Sequence, residues 1–142
     1  MEPVHLHYVV DGEDFASAGM ASSDMKRVLK RIGIDPETVR RASICMYEGE
    51  INMVIHACGG EADVFLGESS ITIILRDTGP GIPDIAQSMQ EGFSTATESV
   101  RDLGFGAGMG LPNMKRYSDE ITLESEVGVG TTVKMVINCS GN

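Results

Sequence analysis

Apolar and polar residues alternate from Val4 to Val10, a period of two that predicts a first strand, ended by Asp11-Gly12, with His5 and His7 on one face. Over residues 15–32 the period becomes helical: Met25, Val28, Leu29 and Ile32 share a face, Asp14 stands where a cap belongs, and Gly33 ends the run. A second helix opens at Asp35-Pro36-Glu37, with Asp35 able to cap and Pro36 suited to the first turn. It is expected to reach about Ala57 on an apolar stripe of Ile44, Tyr47, Ile51, Val54, Ile55 and Cys58, where Gly59-Gly60 stops it. Residues 62–66 and 70–76 read as strands joined through Gly67-Glu68-Ser69, the length of a hairpin connection. From 83 to 103 the pattern weakens into a partly helical lid. A short helix is expected at 111–117, and strands at 120–126 and 131–137 form a terminal hairpin. Strands that do not alternate regularly with helices favour an α+β sandwich, with helices on one face of a sheet.

The chain of 142 residues has the length of one domain, taken as 1–142, and is large enough to bury a single core. The apolar stretch at 71–75 is far short of the roughly 20 residues that span a bilayer, and no charged-then-apolar leader opens the chain. A cytoplasmic protein with no membrane association is expected. Its three cysteines, Cys45, Cys58 and Cys139, are odd in number and form no C-x-x-C pair, which fits reduced thiols in a core. A net charge of −10 argues against binding nucleic acid, which depends on cationic contacts to phosphate. Any phosphate ligand must therefore be held by backbone N–H groups and a metal ion more than by a basic surface.

Three segments stand out from this background. Glu48, Asn52 and His56 recur at i, i+4 and i+8, a polar stripe beside the apolar one. Asp77-Thr78-Gly79-Pro80-Gly81 follows a strand, and Gly79 and Gly81 permit a tight turn with close backbone approach. Gly104, Gly106, Gly108 and Gly110 alternate ahead of Leu111-Pro112, so that bare N–H groups gather at the start of the next helix, where the dipole favours anions. Read singly, these are a solvated face, a turn and a linker. A linker, however, rarely carries Phe105, Met109 and Leu111 between its glycines.

In order and spacing the three segments resemble the Bergerat-fold ATP site of the GHKL (HATPase_c-like) superfamily. The resemblance spans residues 4–137 and implies a two-layer sandwich of a mixed, mostly antiparallel sheet with helices on one face. It also implies ATP and Mg2+ as ligands. On the matching motifs, Glu48 takes the place of the general base and Asn52 that of the magnesium ligand. Asp77 takes the place of the carboxylate that accepts from the adenine amino group, and Gly79 and Gly81 shape its turn. Gly104, Gly106, Gly108, Gly110 and Leu111 belong to the phosphate loop that closes a mobile lid of about 83–110. Thr131 matches a threonine that supports the aspartate from a neighbouring strand, or is simply a strand residue. His56 packs near its helix end or meets phosphate. Arg101, Lys115 and Arg116 read as solvated charges. One departure is Gly49, which costs about 1 kcal/mol in a helix unless close packing requires it.

Within that superfamily the chain resembles the anti-sigma regulatory factors and serine/threonine switch-protein kinases of bacteria, the RsbT/RsbW-like group. The resemblance rests on Glu91-Gly92-Phe93-Ser94-Thr95-Ala96, Gly110-Leu111-Pro112 and the run from Glu124 to Val133. No further coupling domain is expected, and neither His5, His7 nor His56 sits on a phospho-accepting hairpin, which sets aside an autonomous histidine kinase. The resemblance implies transfer of the γ-phosphate of ATP to a Ser or Thr of a small STAS-type partner. A sigma factor or a phosphatase is a further candidate partner, and relatives are often homodimers. Two other readings stay open: an anti-sigma factor that sequesters a sigma factor, and an ATP-binding sensor with slow hydrolysis.

Overall fold

The computed structural model describes residues 4–11, 19–56, 59–77, 110–126 and 130–139. Its strands are β1 (Val4–Asp11), β2 (Gly59–Leu66), β3 (Ser70–Arg76), β4 (Glu120–Glu126) and β5 (Gly130–Asn138), and its helices are α1 (Met20–Arg31), α2 (Pro36–His56) and α3 (Gly110–Tyr117). The strands form one five-stranded sheet in the order β1-β2-β3-β5-β4. Every pairing among them is antiparallel, so the expected antiparallel majority extends to the whole described sheet. The expected α+β sandwich is present.

Alternation along the strands decides which face is covered. Ala62, Val64, Leu66, Ile71, Ile73, Leu75, Val133, Met135 and Ile137 point to the helices and are buried. Met25 and Leu29 of α1 and Val39, Ala42, Cys45, Met46 and Met53 of α2 meet them. Full burial of each large side chain contributes about 1.5–3 kcal/mol. On the opposite face, His5 and His7 lie together as expected: His5 Nε2 and His7 Nδ1 stand 2.7 and 2.8 Å from Asp63 Oδ1. An ionised carboxylate only accepts, so both ring nitrogens carry hydrogens. Arg76 Nη1 reaches Asp63 Oδ2 at 3.2 Å, and His5 stacks on Phe65. The bonds from His7 and His5 hold the Asp63 carboxyl below its ordinary range.

Helix α1 begins later than the expected residue 15. Gly19 precedes it with a left-handed φ of 97°, a conformation no helix passes through, and residues 12–18, including the expected cap Asp14, lie outside the described residues. In place of a local cap, the Glu50 carboxylate of α2 accepts from Ala21 N and Ser22 N, at 3.1 Å each. A buried negative charge thus meets the positive end of the α1 dipole. The C-terminus behaves as expected. Gly33 is left-handed, with Gly33 N bonded to Lys30 O and Ile34 N to Leu29 O, the Schellman pattern.

Helix α2 starts as expected, with Asp35 Oδ2 accepting from Thr38 N at 3.0 Å and Oδ1 from the Thr38 hydroxyl at 2.7 Å. Its buried face keeps Ile51 and Val54 of the expected stripe and otherwise differs from it, the Ile55 side chain and Cys58 lying outside the described residues. Tyr47 is exposed and Ile44 only half-buried, while Val39, Ala42, Cys45, Met46, Ile51, Met53 and Val54 are enclosed. The reason is that α2 packs on the sheet and also against α1 and α3, which buries more than one narrow stripe. The close packing that Gly49 called for is also found: a Cβ there would collide with Leu75 Cδ1 on β3.

Of the thiols, Cys45 is buried in this core, and burial pushes its pKa up to about 12. Cys139 is half-buried against the core, and Cys58 lies outside the described residues. Glu50→Ala leaves two enclosed amides without their charged acceptor, so a loss of about 2–4 kcal/mol is expected in urea unfolding, with Glu50→Gln losing less.

Candidate functional site

Asp77 follows the last residue of β3, where the β3–β5 ladder would otherwise end at the Arg76–Thr132 pair. Its main chain and side chain prolong the pairing by one step. Asp77 N donates to Thr131 O at 3.0 Å, and Asp77 Oδ1 accepts from Thr131 N at 3.1 Å. The carboxylate is thereby oriented by the neighbouring strand rather than swinging freely at a strand end. Thr131 is buried, and its link to Asp77 runs through its backbone.

A second constraint comes from β2. A Cβ on Gly60 would collide with the carbonyl oxygen of Arg76 and would lie 3.1 Å from Asp77 Cα and 2.8 Å from Met53 Sδ. The sequence reading treated Gly60 only as part of a helix stop. Its missing side chain instead lets β2, Asp77 beyond the end of β3 and the last turn of α2 close on one another. Because Met53 and Asp77 both flank this single point, the α2 segment around Asn52 sits at the same end of the sheet as Asp77.

Glu48 and Asn52 occupy successive turns of α2, and both are half-buried. Burial raises the Glu48 carboxyl above its ordinary value, partly offset by a hydrogen bond from Asn113 Nδ2 to Glu48 Oε1 at 3.4 Å. A raised pKa makes the ionised form a stronger base. Asn113 belongs to α3, whose first residue is Gly110, the last glycine of the alternating run. Leu111 follows it in the first turn, and Pro112 is tolerated there because its missing N–H has no intrahelical partner. Lys115 and Arg116, in the last turn, are exposed.

The structure therefore sets Asp77 against Thr131 and Asn113 of α3 against Glu48, with the α2 segment around Asn52 at the same end of the sheet as Asp77. Gly79, Gly81, Gly104, Gly106 and Gly108, the lid at 83–109 and Arg101 lie outside the described residues, and so does the side chain of His56, the last residue of α2. Among the described residues no group of three or more His, Cys, Asp or Glu is placed to hold a metal. Gly60, Glu50 and Asn113 escaped the sequence reading. Their partners are distant in the chain, and no short motif contains them.

With this geometry in view, comparison with known proteins is informative. Residues 39–140 match the family described as histidine kinase-, DNA gyrase B- and HSP90-like ATPases. The serine/threonine-protein kinase RsbT of Bacillus subtilis is 33% identical over 115 residues, covering 78% of this chain and 80% of that protein. The anti-sigma F factor of Caldanaerobacter subterraneus is 34% identical over 109 residues, covering 72% and 73%. Another, from Bacillus velezensis, is 30% identical over 145 residues, covering 96% and 92%. Among solved structures, the RsbU and RsbW domains of a Mycobacterium tuberculosis protein superpose with a TM-score of 0.66 at 16% identity, covering all of this chain and 34% of that one. The mycobacterial sensor histidine kinase MprB gives 0.54 at 16% identity, covering 96% and 98%. At those identities the structural likeness concerns the fold, whereas the sequence match identifies the group: the chain belongs to the histidine kinase-, DNA gyrase B- and HSP90-like ATPase family.

Proposed function

We propose that the protein is an ATP-dependent serine/threonine kinase of the anti-sigma regulatory type, passing the γ-phosphate of ATP to a Ser or Thr of a small STAS-type regulatory protein. The observation that carries this reading is the fixed Asp77 carboxylate at the sheet end where Glu48 and Asn52 also lie. Relatives named as a serine/threonine kinase and as anti-sigma factors support the kinase class.

In this reading Asp77 accepts a hydrogen bond from the adenine amino group. Guanine presents a carbonyl oxygen there, so acceptor meets acceptor and GTP is rejected. Gly79 and Gly81 let the backbone approach the base. Gly104, Gly106, Gly108 and Gly110, with Leu111 at the N-terminus of α3, would hold the phosphates, because backbone N–H groups and the helix dipole favour anions.

An amide oxygen suits Mg2+, which takes oxygen ligands, keeps several waters and needs only one or two protein groups, and Asn52 would supply it. When bound, the ion neutralises charge on the transferring phosphate. Glu48 accepts the proton of the attacking hydroxyl, and its half-burial keeps it basic enough to do so. The lid at about 83–110 is assigned to covering the nucleotide, and residues 1–142 to a single ATP-binding unit. Among the described residues no helix is long and apolar enough to cross a membrane.

Transfer of label from γ-labelled ATP to purified STAS proteins tests the reading. Glu48→Ala is expected to slow transfer by about 10²–10⁴-fold, the usual contribution of a general base, with ATP affinity nearly unchanged. A stable complex with a sigma factor and no labelled STAS protein would instead favour a sequestering anti-sigma role. In competition binding, Asp77→Asn is expected to weaken ATP by about tenfold or more and to narrow the preference over GTP, because an amide also donates. The base works ionised and burial favours its neutral form. The transfer rate should therefore fall on acidification at a pH above the range of an exposed glutamate.

A further inference from the structure

Helices α2 and α3 are joined by a ladder of contacts along one face of α2. At its far end, Arg41 donates from Nε to Tyr117 O at 3.1 Å and from Nη2 to Asp119 Oδ2 at 2.7 Å. One turn on, the Cys45 thiol points at Met114 O at 3.8 Å, with Met114 itself buried. One turn further, Glu48 Oε1 receives the Asn113 amide at 3.4 Å. Residues 41, 45 and 48 of α2 thus meet 117, 114 and 113 of α3, so the two rungs that do not involve Asn113 hold its helix beside Glu48. Among the described residues, the hydrogen bond to the Glu48 carboxylate comes from this amide.

We propose that Asn113 is a positioning residue for the catalytic base: its amide engages Oε1 of Glu48 and so presents Oε2 to the hydroxyl that attacks ATP. This rests on the reading of Glu48 as the base. The chemistry of the donor is the reason an amide suits the place. A lysine or arginine here would pair with the carboxylate and make it a poor proton acceptor. An uncharged amide orients the group while taking little of its basicity, and it carries no proton of its own to surrender. The 3.4 Å separation is long for such a bond, in keeping with catalytic contacts that shorten only when substrate is bound.

Three variants and one spectroscopic measurement test it. Asn113→Asp keeps size and shape but replaces the donor by a second carboxylate. Single-turnover transfer from ATP should fall by about tenfold or more, while the ATP dissociation constant stays within about threefold. Asn113→Ala should lose less, and Asn113→Gln, which retains the donor, should recover most of the rate. Thermal melting separates these effects from misfolding. If Asn113→Asp fails to fold, the contact is read in the wild-type chain, where the side-chain amide resonances of Asn113 should move on Glu48→Ala while those of the other asparagines distant from Glu48 do not. Equal rates in wild type, Asn113→Asp and Asn113→Ala, losses confined to ATP affinity, or amide resonances indifferent to Glu48 would each overturn the proposal. If the wild type transfers no phosphate at all, the kinase reading fails, and the catalytic consequence assigned to Asn113 fails with it. The amide resonances still report on the contact separately.

Discussion

Helix α2 lies close to β3 at residue 49, where a Cβ would meet Cδ1 of the Leu75 side chain. The rest of the site depends on that contact. It sets the depth of α2 on the sheet, and with it the height of Glu48 and Asn52 above the end of β3. Gly60 applies the same constraint one strand away, where Met53, Arg76 and Asp77 converge on the space a Cβ would need. Two glycines that look unfavourable in a helix and a strand thus let three elements pack closely beside Asp77.

Two glutamates on α2, two positions apart, sit in contrasting surroundings. Glu50 is enclosed, and both its oxygens receive backbone amides from the start of α1, so its charge is satisfied and serves the fold. Glu48 is only half-buried, meets one neutral donor at the limit of hydrogen-bond length, and has its pKa raised by desolvation. A carboxylate left partly desolvated and lightly bonded remains able to take a proton. Asp77 is a third case: it is anchored by Thr131, so that its direction is settled before any ligand arrives.

The strands, the N-cap of α2 and the Schellman end of α1 were legible in the sequence because each is written in residues a few positions apart. Asp35 and Thr38, or Gly33 and its neighbours, need no knowledge of the rest of the chain. Glu48, Asn52 and Asp77 were legible for the same reason, as short motifs in a known order. What was missed is long-range. The α2 stripe from Ile44 to Cys58 presumes one packed face; Ile51 and Val54 are buried on it, but α1 and α3 cover the flanks of α2 and leave Tyr47 outside. The helix drawn from residue 15 ran through Gly19 because its left-handed turn leaves no mark on apolar periodicity. Glu50 capping α1 and Asn113 reaching Glu48 join residues 28 to 65 positions apart, which no local pattern encodes.

The central claim is that Glu48, Asn52 and Asp77 belong to one nucleotide site, and calorimetric titration of the intact chain with ATP, with and without magnesium, tests it most directly. The account predicts binding that strengthens with magnesium, loses this gain in Asn52→Ala and weakens in Asp77→Asn. Absence of binding, or affinity indifferent to the metal and to both substitutions, would contradict it.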